Sequence, residues 1–133
     1  MRGDVIYDKK TIATEKAPAA LGPYSQAISV NGTVYVSGQL PIDPTTGEFA
    51  ADDIQGQTRQ SLTNIQAILA EAGLDLSNVV KTTVLLDNID DFAAMNEVYA
   101  EFFTGVTPAR AAFEVAAIPK GALVEIEAVA VEG

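Results

Sequence analysis

Only two stretches of this 133-residue chain carry a helical apolar stripe, and that number limits the architecture more than any other feature. Between Asp53 and Ala72, the residues Ile54, Leu62, Ile65, Ile68, Leu69 and Ala72 recur at helical spacing, with Gly73 as the stop. Phe92, Met95, Val98, Tyr99 and Phe102 form the second stripe, in a helix that Asp90 is placed to cap and that runs through Phe103. The remaining apolar runs read as strands. Two helices cover one face of a sheet, so the expected class is α+β with both helices packed on one side.

The strand segments define the other side. Asn31-Gly32 takes the positive φ angles of a two-residue turn and joins Gln26–Val30 to Thr33–Ser37 as a hairpin. Pro41 to Gly47 has no apolar period and is expected to be a loop. Val79 to Leu86 reads as a strand that Asp87-Asn88-Ile89-Asp90 breaks, and Pro119-Lys120-Gly121 separates closing strands at Arg110–Ala116 and Leu123–Val131. Alternation puts Val124, Ile126, Ala128 and Ala130 under the helices and Glu125, Glu127, Val129 and Val131 opposite them. Ala112 and Glu114 likewise oppose Ala111, Phe113 and Val115. The second face, part polar and part apolar, suits either water or a subunit interface.

Composition removes whole classes of chemistry. The chain has no cysteine and no histidine, so thiol nucleophiles, disulfides, Cys/His zinc sites and Ser-His-Asp triads are excluded. A net charge of -10 with no basic patch disfavours nucleic acid and anionic membranes as partners. The length suits one domain over 1–133, and neither a secretory h-region nor a membrane-length apolar run occurs, so a soluble cytoplasmic protein is expected. Arg2-Gly3-Asp4 and Asn31-Gly32-Thr33 match short adhesion and glycosylation patterns by chance, and Asp87, Asp90 and Asp91 lack the spacing of a calcium loop. GxxxxGK[ST] and GxGxxG are both missing, and no cofactor is implied.

Among the residues left, Arg110 follows Pro108-Ala109 at a strand entrance, where its fork suits a substrate carboxylate or an ordinary acidic neighbour. Glu125, in the middle of an alternating apolar strand, is either a general base toward water or an exposed strand residue like Glu127, which alternation cannot separate. Ser37 and Tyr24 offer hydroxyls to a small ligand; otherwise Ser37 ends a strand and Tyr24 packs beside Pro23. Asn96 lies beside its helix's apolar stripe, placed to close a pocket or to face water.

From about Thr11 to Val131 the chain resembles the Rid or YjgF family of reactive-intermediate deaminases. The resemblance is carried by Ala17-Pro18-Ala19-Ala20-Leu21-Gly22-Pro23-Tyr24-Ser25-Gln26-Ala27, by Val36-Ser37-Gly38-Gln39-Leu40-Pro41 and by Gln57-Thr58-Arg59-Gln60-Ser61-Leu62-Thr63-Asn64-Ile65. It continues in Val80-Lys81-Thr82-Thr83-Val84, Phe92-Ala93-Ala94-Met95-Asn96, Pro108-Ala109-Arg110 and Val124-Glu125-Ile126-Glu127-Ala128. It implies a chorismate-mutase-like fold, a mixed β-sheet with two helices on one face, assembled as a homotrimer with clefts between adjacent subunits. It implies hydrolysis, without a cofactor, of 2-aminoacrylate, 2-iminopropanoate or 2-iminobutanoate, the products of pyridoxal-phosphate-dependent dehydratases, to 2-oxo acids and ammonia. Arg110 would clamp the substrate carboxylate, Glu125 would activate water, and Tyr24, Ser37, Gly38 and Asn96 would line the pocket, with Arg110 and Glu125 converging on one small cavity. A 2-oxo acid sensor using the same cleft and a ribonuclease or translation inhibitor are the competing readings. Some members carry a cysteine two residues beyond the motif arginine, where this chain has Ala112. Met1 to Lys10 precedes the resembling region as an extension, with an added edge strand read at Val5-Ile6-Tyr7.

Overall fold

The computed structural model describes residues 8–133, and the strand expected at Val5-Ile6-Tyr7 lies outside the described residues. The elements are β1 (Lys10–Ile12), β2 (Ala27–Val30), β3 (Thr33–Gln39), α1 (Ile54–Glu71), β4 (Val79–Leu86), α2 (Phe92–Phe102), β5 (Ala109–Glu114) and β6 (Val124–Val131). They form a six-stranded sheet of order β1-β2-β3-β6-β4-β5. Every neighbouring pair is antiparallel except β4 and β5, which run parallel, so the sheet is mixed. Residue patterns give no strand at β1, because three residues with only Ile12 buried leave no period to detect.

The topology explains why both helices share a face. β3 and β4 are each antiparallel to β6 and therefore point the same way, as does β5. α1 carries the chain from β3 to β4 and α2 from β4 to β5, both steps moving in the same direction across the sheet. Right-handed crossovers taken in one direction put both helices on one side. There α1 packs on β6, β3 and α2.

Local chemistry sets the boundaries. Asn31 and Gly32 adopt φ of 51° and 79°, as the tight hairpin requires. The Asp53 carboxylate accepts the Gly56 N–H at 3.3 Å to cap α1, and Gly73, at φ 77°, follows its end. The second helix starts differently from expectation. Asp90 caps nothing; it lies inside a 3-10 turn, Ile89–Asp91, whose cap is Asn88, and α2 begins afterwards at Phe92. The Asn88 side chain accepts the Asp90 N–H at 2.9 Å, so the turn is closed before a cap at Asp90 can form.

Leu62, Ile65, Ile68 and Leu69 of α1 are fully buried against Val34, Val84, Leu86, Val124 and Ile126 of the sheet, with Met95 from α2. Each such side chain contributes roughly 1.5–3 kcal/mol of transfer free energy, before conformational entropy is counted. The opposite face has no such cover: Tyr35 is 51 % and Phe113 46 % exposed. Among the described residues, no helix is long and apolar enough to cross a membrane.

Candidate active site

Glu125 occupies the uncovered face of β6, opposite Leu85 of β4. Its other flank is shaped by an irregularity in β3, which runs on past Ser37 to Gln39. Val36 pairs with Ala128 and Gln39 with Ile126, so β3 uses one more residue than β6 over the same span. That β-bulge sets Ser37 and Gly38 beside the glutamate. Glycine leaves room for the carboxylate there, because a Cβ on residue 38 would lie 2.6 Å from the present Glu125 Oε2 position and 3.0 Å from its carboxyl carbon and would push the side chain aside.

The Ser37 hydroxyl donates to the Ser25 carbonyl at 2.5 Å, tying the bulge to the segment that carries Tyr24. Buried Gln26 fastens the same segment from behind: its Nε2 donates to the Pro18 carbonyl at 2.7 Å and its Oε1 accepts the Thr14 N–H at 2.7 Å. Tyr24, Ser37, Gly38 and Glu125 thus line one cavity of about 480 Å³, with Pro18 and Lys120 also in its wall. Burial pushes the Glu125 carboxyl above the usual carboxylate range, and repulsion from Glu127 adds to it. Among the described residues the structure shows no hydrogen bond to this carboxylate, which leaves its oxygens open to water. Glu127 is exposed, and the bulge is what distinguishes the two glutamates.

Arg110 lies on the edge strand β5, in register with Thr82 of β4. The acidic neighbour that a surface arginine ordinarily finds is missing: among the described residues, its guanidinium donates to the Asn96 Oδ1 at 2.6 Å. The guanidinium carbon also stands 4.7 Å from the Tyr99 ring centroid and 5.3 Å from that of Phe92. Aromatic faces attract the cation without neutralising it. Asn96, Tyr99, Phe103, Thr107, Pro108 and Arg110 line a second hollow of about 390 Å³.

Within one chain these two groups do not share a cavity. Arg110 is in register with Thr82, buried on the helix side, whereas Glu125 is in register with Leu85 on the other side. Their strands are separated by β4, roughly 10 Å of sheet, and the pairing is offset by about another 10 Å along the strands. Within one chain, Tyr24, Ser37 and Gly38 accompany Glu125, while Asn96 accompanies Arg110.

Residue patterns do not single out two supporting residues. The Gln57 Oε1 accepts the Leu123 N–H at 2.8 Å, just before β6, and the Asn64 Nδ2 donates to the Leu40 and Ile42 carbonyls at 3.1 and 3.0 Å, just after β3. Both are buried side chains of α1. Their signal was polarity on a helix face otherwise apolar, two turns apart, which capping and stripe rules pass over.

The sequence profile of the family described as endoribonuclease L-PSP matches residues 14–132. A 2-iminobutanoate/2-iminopropanoate deaminase of Capra hircus is 54% identical over 125 residues, 94% of this chain and 91% of that protein. The crystal structure of a protein of unknown function of the conserved Rid family from Yersinia pestis superposes with a TM-score of 0.91 at 51% identity, covering 93% of this chain and 99% of that one. That of E. coli TdcF with bound serine gives 0.90 at 43% identity, with 93% and 99% covered. A profile match across nearly the whole described chain, a common sheet and helix arrangement, and identities near one half have one explanation: this chain belongs to the endoribonuclease L-PSP family, the Rid or YjgF family.

Proposed function

We propose that this protein hydrolyses small 2-imino acids, among them 2-aminoacrylate after tautomerisation, 2-iminopropanoate and 2-iminobutanoate, to 2-oxo acids and ammonia. The observation that carries the reading is a guanidinium held by rings and an amide, with no acid to neutralise it among the described residues, in a chain of net charge -10. Such a cation is built for an anion that arrives from solution. The goat relative's name specifies the imino acids, and the serine bound to E. coli TdcF shows a small amino acid held by a relative.

The two half-sites lie on different surfaces of the chain, so they complete each other between copies. Head-to-tail contact of unlike patches forms a ring where the rotation between copies closes, and we assign a homotrimer in which the Arg110 corner of one copy meets the Glu125 cavity of the next. Tyr35 and Phe113, on the uncovered face, fall into the contact. Arg110 holds the substrate carboxylate through two parallel hydrogen bonds and fixes the imine carbon against the cavity. Glu125 takes a proton from water as the oxygen adds to the carbon of the protonated imine and returns it to nitrogen, then takes the carbinolamine hydroxyl proton as C=O forms and the C–N bond breaks, and passes that proton to ammonia or solvent. One water is consumed, and the products are the 2-oxo acid and ammonia. The imines would come from pyridoxal-phosphate-dependent dehydratases in the cytoplasm.

The test couples the protein to a threonine dehydratase and times semicarbazide trapping of the imine. Arg110→Ala and Glu125→Gln each lose the acceleration, and co-assembly of the two inactive variants restores roughly a quarter of the wild-type activity, because only mixed rings contain an intact cleft. Absence of recovery overturns the shared site. Binding of 2-oxobutanoate with no effect on rate assigns a sensor instead.

A further inference from the structure

To act as the carboxylate clamp, Arg110 must hold its pose on an edge strand, at a residue that is itself exposed. A free arginine there samples many rotamers, and the entropy of fixing it would be lost at each binding event. The contacts that bear on this cost centre on Tyr99.

Three links close a circuit. Arg110 and Thr82 are register partners across β4 and β5, which fixes the backbone end of the arginine relative to Thr82. The Thr82 Oγ1 and the Tyr99 hydroxyl share a buried hydrogen bond of 2.7 Å, which fixes the ring relative to that strand. The ring in turn lies 4.7 Å from the guanidinium carbon, which fixes the far end of the side chain. Phe103 backs Tyr99 with a centroid separation of 4.6 Å at a tilt of 36°, so the ring cannot swing away from Arg110 without unpacking the core. Burial also pushes the Tyr99 phenol up, outweighing the Thr82 hydrogen bond and the nearby guanidinium, so it stays neutral and forms no ion pair with Arg110.

We propose that Tyr99, braced by Thr82, is a positioning residue that pre-orients Arg110 for the substrate carboxylate while leaving its charge free. This rests on the assignment of Arg110 as the carboxylate clamp, but the pose of the guanidinium is measurable without any substrate.

Two readouts on the full chain separate the claims. In nitrogen-15 correlation spectra, the Arg110 Nε–H signal is expected to be displaced by the aromatic ring currents; Tyr99→Phe retains the displacement, and Tyr99→Leu collapses it toward the value of a free arginine. Calorimetric binding of 2-oxobutanoate is expected to weaken roughly three- to tenfold in Tyr99→Leu and only about two- to threefold in Tyr99→Phe, which keeps the ring over the guanidinium but, like Thr82→Val, loses the Thr82 brace. A wild-type signal at the free-arginine position, or one unmoved by Tyr99→Leu, overturns the proposal whatever the chain binds. A displaced signal in a protein that binds no 2-oxo acid keeps the positioning role and removes the proposed function. Should Tyr99→Leu fail to fold, Thr82→Val decides: broadening of the Arg110 signal with weaker binding supports the brace, and an unchanged spectrum overturns it.

Discussion

The two halves of the candidate site are built on opposite plans. Arg110 is held by its own chain on three sides, by Asn96, Tyr99 and Phe92. Glu125 is given room instead: a bulge and a glycine clear space for its carboxylate, and burial leaves it harder to ionise than an ordinary glutamate. A clamp gains from rigidity, because its task is to fix an anion. A base gains from a raised pKa and open lone pairs, because its task is to accept a proton and release it.

The sharpest way to break this contrast is to preserve the charge at residue 110 and remove the geometry. Arg110→Lys keeps the cation but loses the planar fork and the ring contacts, and a fall of about a hundredfold in kcat/KM in the coupled assay is expected. Near-normal activity would show that charge alone suffices. On the other side, Gly38→Ala brings a methyl group within 2.6 Å of the present Oε2 position and forces the carboxylate to shift, with an expected loss of roughly ten- to a hundredfold in kcat. Unchanged kcat in that variant, with the added methyl ordered and the Glu125 carboxylate unmoved in a crystal, would remove the clearance argument.

Protonation sharpens the comparison further. The acid limb of kcat/KM is expected at a pH above the usual glutamate range, and Glu127→Gln, which removes the secondary repulsion, moves it down. A limb that ignores residue 127 contradicts the assignment. The smallest effect is on stability. Because folding raises the Glu125 pKa, its favourable contribution is complete below the unfolded-state value and is lost as pH rises through the folded one. Glu125→Gln should therefore match wild type under strongly acidic conditions and gain a small Tm advantage at neutral pH. With the side chain only half buried, solvent screening keeps that gain on the order of a degree.

Much of this layout could be read from residue patterns. Asn31-Gly32, the apolar stripe through Leu62 and Leu69 of α1 and the Val79–Leu86 run mark the hairpin, the long helix and β4 because each depends on near neighbours alone. The start of α2 is displaced because Asn88 competes with Asp90 for the same turn. The bulge at Ser37-Gly38 is invisible in the sequence because it is a property of pairing with β6, which lies at the far end of the chain. Arg110 and Glu125 stand out as residues, but their placement on opposite faces depends on strand order, which no local pattern encodes. The aromatic setting of Arg110 is hidden for the same reason: from its spacing, Tyr99 reads only as a member of an apolar stripe.

Gln57 and Asn64 anchor the chain on either side of the glutamate through main-chain amide and carbonyl groups, which nearly every residue type possesses. Side chains at the cavity mouth, such as Leu21, Tyr24 and Lys120, take no part in that anchoring. Mutation can therefore reshape the entrance, and with it the range of molecules admitted, while the reacting carboxylate keeps its place; preference and chemistry are free to evolve separately.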